Sequence, residues 1–389
     1  MAPLRSRMPV ELDVAPRTMA ERVVTVAASI LAAASFACHD AAPPTTPQPT
    51  PVAPTPAASG ITELHLPTPD SSYNLLHPSV QCGARGCFML ACQHTLRDDH
   101  AGTRSDIVEN TVGYKSAGTD MLNWTPVSNP IMSADEIDST TDFSDPELLD
   151  LKPRLVAYSR LVPPGFDVLY MKETSDTVNW TPLKEVLRVP ANTGISPTVL
   201  QNGSEYDLWV VDASSFGCQS KKTITVRRRS STYTNFSHAV VDTTDLNEHS
   251  VPGMVPWHIE MIRGPADTPD SIIALVAMHP AGSECGNSSL YLGTTVDGLH
   301  FRMNPGPVRT GSDDSIFSMV YRSSGVYFSK DRTFVAMLSG TKSGGWPEAR
   351  LARIKYDYDS LLASTLHGRT PTPLSVQLVP QWFSRSEGR

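Results

Sequence analysis

Tyr114-Lys115-Ser116 is followed by Asp120 and then by Asn123-Trp124-Thr125-Pro126, and the chain repeats this phrase. Met171-Lys172-Glu173 leads through Asp176 to Asn179-Trp180-Thr181-Pro182. A third, looser copy runs from Val226-Arg227-Arg228 to Thr234-Asn235-Phe236, and a fourth from Leu292-Gly293-Thr294 through Asp297-Gly298 to His300-Phe301. The aromatic residues that end the copies stand 56, 56 and 65 residues apart. A period of that length, with each unit β-rich and closed by a turn and an aromatic, predicts an all-β, five-bladed β-propeller. No stripe of helical period competes with it. A β-sandwich with chance similarity between its turns is the alternative architecture.

Ahead of the phrases stand His77-Pro78-Ser79-Val80, Ser144-Asp145-Pro146-Glu147-Leu148, Ser196-Pro197-Thr198-Val199 and Pro256-Trp257-His258-Ile259-Glu260. Asp314-Ser315-Ile316, leading to Val320-Tyr321-Arg322, is a fifth. Proline cannot donate to a β ladder, so its recurrence is read here as the start of each innermost strand. These motifs divide residues 60–389 into five units. Either Ile61-Thr62-Glu63-Leu64 or Leu374-Ser375-Val376-Gln377-Leu378 closes the ring.

The first 38 residues differ in kind. Glu21 and Arg22 precede the apolar run Val23 to Ala37, which ends in small residues before Cys38. This is the layout of a bacterial export signal, too short for a spanning helix, which needs ~20 apolar residues. Cys38 is placed like the lipid-bearing cysteine of a lipoprotein, although Ser35 and Phe36 depart from the usual residues. Met8 or Met19 is an alternative start. Residues 39–59 are rich in Pro, Thr and Ala and form an extended spacer. The expected location is therefore the cell envelope or the exterior, with any membrane contact made through Cys38. The net charge of −8 supplies no concentrated basic surface for nucleic acid.

Export permits disulfides. Cys82 and Cys87 flank the turn Gly83-Ala84-Arg85-Gly86 and can face each other across a hairpin. Cys218 and Cys285 hold matching places before the third and fourth phrases, which suits a bridge between blades. Cys92 then remains a buried thiol. The opposing reading makes all five simple core or loop residues.

Alternating strand direction brings certain residues to one mouth of the ring. Blade 1 offers His77, Arg97-Asp98 and Glu109-Asn110, and blade 2 offers Asp145, Tyr158 to Arg160 and Asp167. Blade 3 offers Ser196, Asp212 and Lys221. Blade 4 offers Trp257, His258, Glu260, His279 and Asn287, and blade 5 offers Asp314, Tyr321 and Arg322. Acids, imidazoles, Arg and aromatics in one funnel point to a ligand there. Converging carboxylates and carbonyls also suit a hard cation such as Ca2+, although no spacing is diagnostic of a metal.

Taken in order, HPSV, EN, SNP, SDPELL, SPTVL, WVVDASS, VPWHIEMI, CGN and VYRSS resemble a group of bacterial and phage proteins. These are related to the five-bladed propeller glycosidases of the arabinanase and invertase type. The resemblance covers residues 70 to 330 and implies a carbohydrate partner. In arabinanase-like enzymes three carboxylates head the inner strands of the first three blades; here those places hold His77, Asp145 and Ser196. Glycoside hydrolysis normally needs two carboxyl groups across the scissile bond. A replacement pair would come from Asp145, Glu109, Asp212 and Glu260, with His77 or His258 in acid–base work.

Trp257 is a candidate for stacking on a sugar, Tyr321-Arg322 for clamping an anion or hydroxyl, and Arg160 for substrate binding. Each has a structural alternative: Asp145 holding a turn, the histidines tied to carboxylates, Glu260 paired with His258, Trp257 packed in the core. Trp124, Trp180, Phe236 and Phe301 are assigned to packing between blades, and the Asp of each repeat turn to structure. The leading expectation is an exported carbohydrate-active propeller with a degenerate glycosidase acid set. The alternatives are a non-catalytic glycan-binding propeller and a structural one with a plugged funnel.

Overall fold

A computed structural model of the protein describes residues 60–96, 107–137, 142–246, 251–265, 272–283, 285–311, 316–342 and 349–374. The export segment, Cys38, the Pro/Thr spacer, Arg97-Asp98, Asp314-Ser315 and residues 375–378 lie outside them. Among the described residues no helix is long and apolar enough to cross a membrane.

Strand β1 (Ile61–Leu64) precedes the first blade. Blade 1 is β2 (Leu75–Gly83), β3 (Gly86–Leu96), β4 (Ile107–Ser116) and β5 (Thr125–Pro126). Blade 2 is β6 (Phe143–Leu151), β7 (Arg154–Leu161), β8 (Phe166–Thr174) and β9 (Lys184–Pro190). Blade 3 is β10 (Ile195–Asn202), β11 (Glu205–Asp212), β12 (Ile224–Ser230) and β13 (Val240–Thr244). Blade 4 is β14 (Met254–Arg263), β15 (Ile272–Pro280), β16 (Ser289–Thr295) and β17 (Arg302–Arg309). Blade 5 holds β18 (Met319–Val320), β19 (Ser324–Phe328), β20 (Thr333–Thr341) and β21 (Ala349–Asp357), and β1 pairs with β21 as its outermost strand. The ring is therefore closed by Ile61–Leu64, the first of the two candidate segments, while the amide of Leu374 only donates to Lys355 O. Closure in this way pairs an edge that would otherwise stand open.

Five buried clusters fill the spaces between neighbouring blades. The repeat aromatics sit in them: Trp124 between blades 5 and 1, Trp180 between 1 and 2, Phe236 between 2 and 3, and Phe301 between 3 and 4. The fifth cluster, between blades 4 and 5, is built from Ile273, Leu292, Phe334 and their neighbours. The repeat turns are locked by their carboxylates. Asp176 accepts the amides of Val178 and Asn179 at 2.9 and 2.8 Å, and Asp297 those of Leu299 and His300 at 2.8 and 2.9 Å. Gly298 follows with φ +71°, and a Cβ there would meet Trp209 at 2.8 Å, so the turn needs glycine twice over. Both predicted bridges are formed, Cys82–Cys87 across the hairpin and Cys218–Cys285 between blades 3 and 4, and Cys92 is a buried thiol. Among the described residues there is one α-helix, α1 (Tyr358–Leu366), which was not expected; it is capped by Asp357, which accepts the Ser360 amide at 2.8 Å, and its nine residues are too few for a helical stripe to stand out.

The prolines mark something other than strand starts. Each inner strand of blades 1 to 3 begins two residues or fewer before its proline motif and carries a bulge there: between Leu76 and Ser79, Ser144 and Glu147, and Ile195 and Thr198. Pro78, Pro146 and Pro197 sit in these bulges, where no ladder amide is needed. The residue before each has a positive φ: His77 50°, Asp145 50° and Ser196 53°. Blade 4 shifts register between Pro256 and His258.

Below the bulges, a polar layer crosses the axis. Arg322 of blade 5 donates to Glu147 of blade 2 at 3.2 Å, Glu260 of blade 4 at 2.8 Å and the Pro197 carbonyl of blade 3 at 2.9 Å. Ser79 of blade 1 donates to Glu147 and Glu260 at 3.0 and 3.2 Å, and Ser324 donates to Glu260 at 2.8 Å.

Two outcomes test this account. Arg322→Met leaves Glu147 and Glu260 buried without their cation and should cost about 3–5 kcal/mol, read as a fall in the denaturant midpoint; an unchanged midpoint would dismiss the layer as a stabilising element. The second concerns pH. Hydrogen bonds from the Asn179 amide and side chain hold the Asp176 carboxyl below its ordinary range. At Asp297 burial pushes the other way but is outweighed by hydrogen bonds from His300 and Leu299. Carboxyls depressed by folding stabilise above the unfolded value of about 4 and lose that contribution as pH falls through the folded value. An Asp176→Asn/Asp297→Asn variant should therefore show a flatter fall in Tm than the parent from pH 5 to pH 2.

Candidate functional site

The bulged His77 of blade 1 and His258, beside the register shift of blade 4, line one cavity of about 310 Å³, and the bulged Asp145 of blade 2 lies against both imidazoles. A larger space of about 680 Å³ lies at the other end, between the Gly83–Gly86 and Leu151–Arg154 hairpins. Its lining includes Arg85, Lys115, Lys152, Asp150 and Asp176, but among the described residues no potential metal-binding cluster forms there. The titratable groups converge at the smaller one.

Asp145 is at its floor, 0% exposed. Its Oδ1 is 3.2 Å from His77 Nδ1 and 3.4 Å from His258 Nδ1. Its Oδ2 lies 2.9 Å from Arg160 Nε and accepts the Ser196 amide at 3.2 Å. Arg160 is held in turn by Asp167 at 3.2 Å, and Asp167 accepts the Gly194 amide at 2.9 Å. One carboxylate thus divides its oxygens, one toward a cation and an amide, the other toward two imidazoles. Burial alone would push Asp145 up, but the Arg160 guanidinium beside it, with the other groups around it, holds it ionised far below the usual range. Burial pushes His77 down to about 4 and His258 well below its ordinary value, the Asp145 charge offsetting part of each shift. Both rings are neutral at neutral pH, the form that ligates metals.

Tyr321 forms the wall between the imidazoles. Its ring is stacked 5.2 Å from His77 and edge-on 4.3 Å from His258, and Trp257 Nε1 donates to its hydroxyl at 2.6 Å. Burial pushes the phenol up, so it stays protonated. Behind it, Cys285 Sγ of the inter-blade disulfide is 3.8 Å from the same hydroxyl. On another wall Glu109 Oε1 is 2.8 Å from His94 Nε2. Burial would raise Glu109, yet His94 and its other partners bring it down to about 2. Asp142 Oδ1 accepts the Glu109 amide at 3.4 Å.

The structure therefore brings His77, Asp145, His258, Glu109, Arg160, Trp257 and Tyr321 to one place. It does not bring Glu260 or Asp212 there, and Arg322 reaches it only from below, with Nη1 4.0 Å from Asp145 Oδ1. Glu260 and Arg322, 2% and 1% exposed, belong to the axial layer and are bonded to each other, so Glu260 is neither a cavity acid nor the partner of His258, and Arg322 does not clamp a ligand. The physical reason is depth: along a strand, two residues past His258 is one full repeat further from the mouth. Asp212 accepts the Ser214 amide at 2.8 Å in its own turn and does not line the cavity. His94, Asp142 and Val162 are lining residues that the inner-strand motifs did not reveal. The alternation of β3 around Cys92 and His94, opposite Glu109, is the signal that finds His94.

His77, Asp145 and His258 can hold a metal ion: one ligand atom from each lies within 4.8 Å of the others. Both nitrogens of both rings and Asp145 Oδ1 are buried without a hydrogen bond among the described residues. In a tetrahedral site with bonds of about 2.0–2.1 Å, neighbouring ligand atoms stand about 3.3 Å apart. The observed 3.2 and 3.4 Å bracket that value.

No protein-family model matches the chain, and no curated protein does. Solved structures do. An N-acetylgalactosamine deacetylase from F. plautii, in complex with blood group B trisaccharide, is 16% identical with a TM-score of 0.65, covering 82% of this chain and 99% of that one. A beta-1,2-mannobiose phosphorylase from Listeria innocua is 10% identical with a TM-score of 0.55, covering 80% and 95%. The catalytic domain of a GH62 alpha-L-arabinofuranosidase from Coprinopsis cinerea is 12% identical with a TM-score of 0.51, covering 75% and 94%. At these identities the likeness is one of fold, and the chain is a five-bladed β-propeller.

Proposed function

We propose that this chain is an exported carbohydrate-active hydrolase in which His77, Asp145 and His258 hold a divalent cation, and that the bond it cleaves is an acyl bond on a sugar. The observation that carries this reading is the set of converging, buried and otherwise unbonded ligand atoms at the cavity floor. Each such group left unpaired costs about 1–3 kcal/mol. Two imidazoles and one carboxylate with an open side are a catalytic rather than a closed structural set. A cation there supplies Lewis acidity toward a carbonyl and a more acidic water molecule at neutral pH.

The chain's own residues do the rest. Arg160 and the Ser196 amide fix Asp145 so that Oδ1 faces the imidazoles. Tyr321 accepts from Trp257, so its hydroxyl is oriented, and it stays protonated and can act only as a hydrogen-bond donor toward developing negative charge. Trp257 and Tyr321 supply the apolar walls against which a sugar ring packs.

Glycosidic cleavage is served less well. Glu109 and Asp142 are joined through the Glu109 amide, and Asp145 is fully buried with one oxygen held by Arg160 and the Ser196 amide, so it is not placed as a free acid or base for a glycosidic bond. The fold shared with a sugar deacetylase supports the acyl reading, while the phosphorylase and arabinofuranosidase support carbohydrate more broadly. Export, with lipid attachment at Cys38, belongs to the same proposal.

The full chain, loaded with Zn2+ or Mn2+, should release acetate from a panel of N- and O-acetylated oligosaccharides without new reducing ends. Chelation should abolish release, and Asp145→Asn should lower it more than about a hundredfold, since even outer partners of metal ligands are worth 10–100-fold. Reducing ends appearing without acetate would overturn the acyl reading in favour of a glycosidase. Saccharide binding without either product would leave a glycan-binding propeller.

A further inference from the structure

The geometry points to a second cation site in the wall of the same cavity, formed by Cys92 Sγ, the His94 imidazole and the Glu109 carboxylate and suited to a zinc-like ion. One ligand atom from each lies within 4.8 Å of the other two. Strand pairing creates the convergence. Cys92 and His94 are two apart on β3 and share a face, and Glu109 on β4 stands directly opposite His94. His94 and Glu109 are 2.8 Å apart. On a shared ion with bonds of about 2.0–2.3 Å, donors stand roughly 3.3–3.7 Å from one another. This pair would open by about half an ångström, and Cys92 Sγ would give up its bond to the Phe143 carbonyl at 3.8 Å.

Cys92 has no task in the reaction proposed above. It is buried, and the other four described cysteines are bridged. Ligation is the chemistry left to a thiol set beside an imidazole and a carboxylate. Sulfur, nitrogen and oxygen together are the donors zinc takes, whereas calcium takes oxygen alone. Binding would send the thiol proton to solvent, with His94 as a neutral ligand. His94 and Glu109 line the cavity together with His77 and His258, so the two ions would face one space. The second site shares no ligand with the first and does not depend on it.

Titration of the full chain with Co2+, followed by absorption, separates the two. Two equivalents are expected, one of them giving a sulfur-to-cobalt charge-transfer band. Cys92→Ser should remove the band and one equivalent. Glu109→Gln, checked for folding by circular dichroism, should weaken that equivalent at least about tenfold. Asp145→Asn should remove the other equivalent and leave the band. One equivalent without the band, or a band that survives Cys92→Ser, overturns the second site and leaves the first. A band with no equivalent lost in Asp145→Asn overturns the first and keeps the second. No cobalt bound overturns both.

Discussion

Arg322 is the point at which all five blades meet. It comes from blade 5, donates to Glu147 of blade 2, Glu260 of blade 4 and the Pro197 carbonyl of blade 3, and both carboxylates accept from Ser79 of blade 1. A guanidinium with several donors in a fixed fork suits a centre where strands converge from all sides. Its burial is tolerated because two carboxylates and a carbonyl receive it, and the same groups would be costly without it. The backbone joins the layer as well, with Val199 and Leu148 amides bonded to Glu147 and Ser79. The bonds from Arg322 Nη2 and Ser79 pair buried carboxylates across blades, which fixes how the inner strands are spaced.

That spacing sets the floor on which the site is built. Above the layer, the bulged strands hold His77, Asp145 and Ser196 at positive φ, a conformation that costs a residue with a Cβ about 1–3 kcal/mol. The bulges turn these residues inward at one height, with His258 supplied by the fourth blade. Ser196 serves through its backbone, giving an amide to Asp145, while its hydroxyl and the Ile259 backbone exchange hydrogen bonds that tie blade 3 to blade 4. Ser196 is thus part of the support for Asp145. Chemistry on this fold is decided by a few side chains at the bulges, and a shared architecture does not transfer it.

Much of this was legible in the residues. The recurring Asp–aromatic phrase located four blades because a repeat must pack against its neighbours through the same contacts. The spacing of Cys82 and Cys87 around a four-residue turn, and the matched places of Cys218 and Cys285, marked their bridges. The proline motifs pointed to the funnel for a sound reason, the absent amide, but the feature they mark is a bulge inside the strand. Period-two alternation put His258 and Glu260 on one side of β14 and could not say that one faces the cavity and the other the axis.

What the sequence by itself determined is the repeat: blade number, turns, inter-blade aromatics and the inner-strand residues that head the funnel. Those follow from local periodicity and from the backbone limits of proline and glycine. Tertiary structure alone decided that Ile61–Leu64 closes the ring, that Glu260 and Arg322 are structural, and that His77, Asp145 and His258 share one point. These three residues are separated by 68 and 113 positions, and no local rule relates them. Only the closed ring brings three strands from three blades to the same height above one axis.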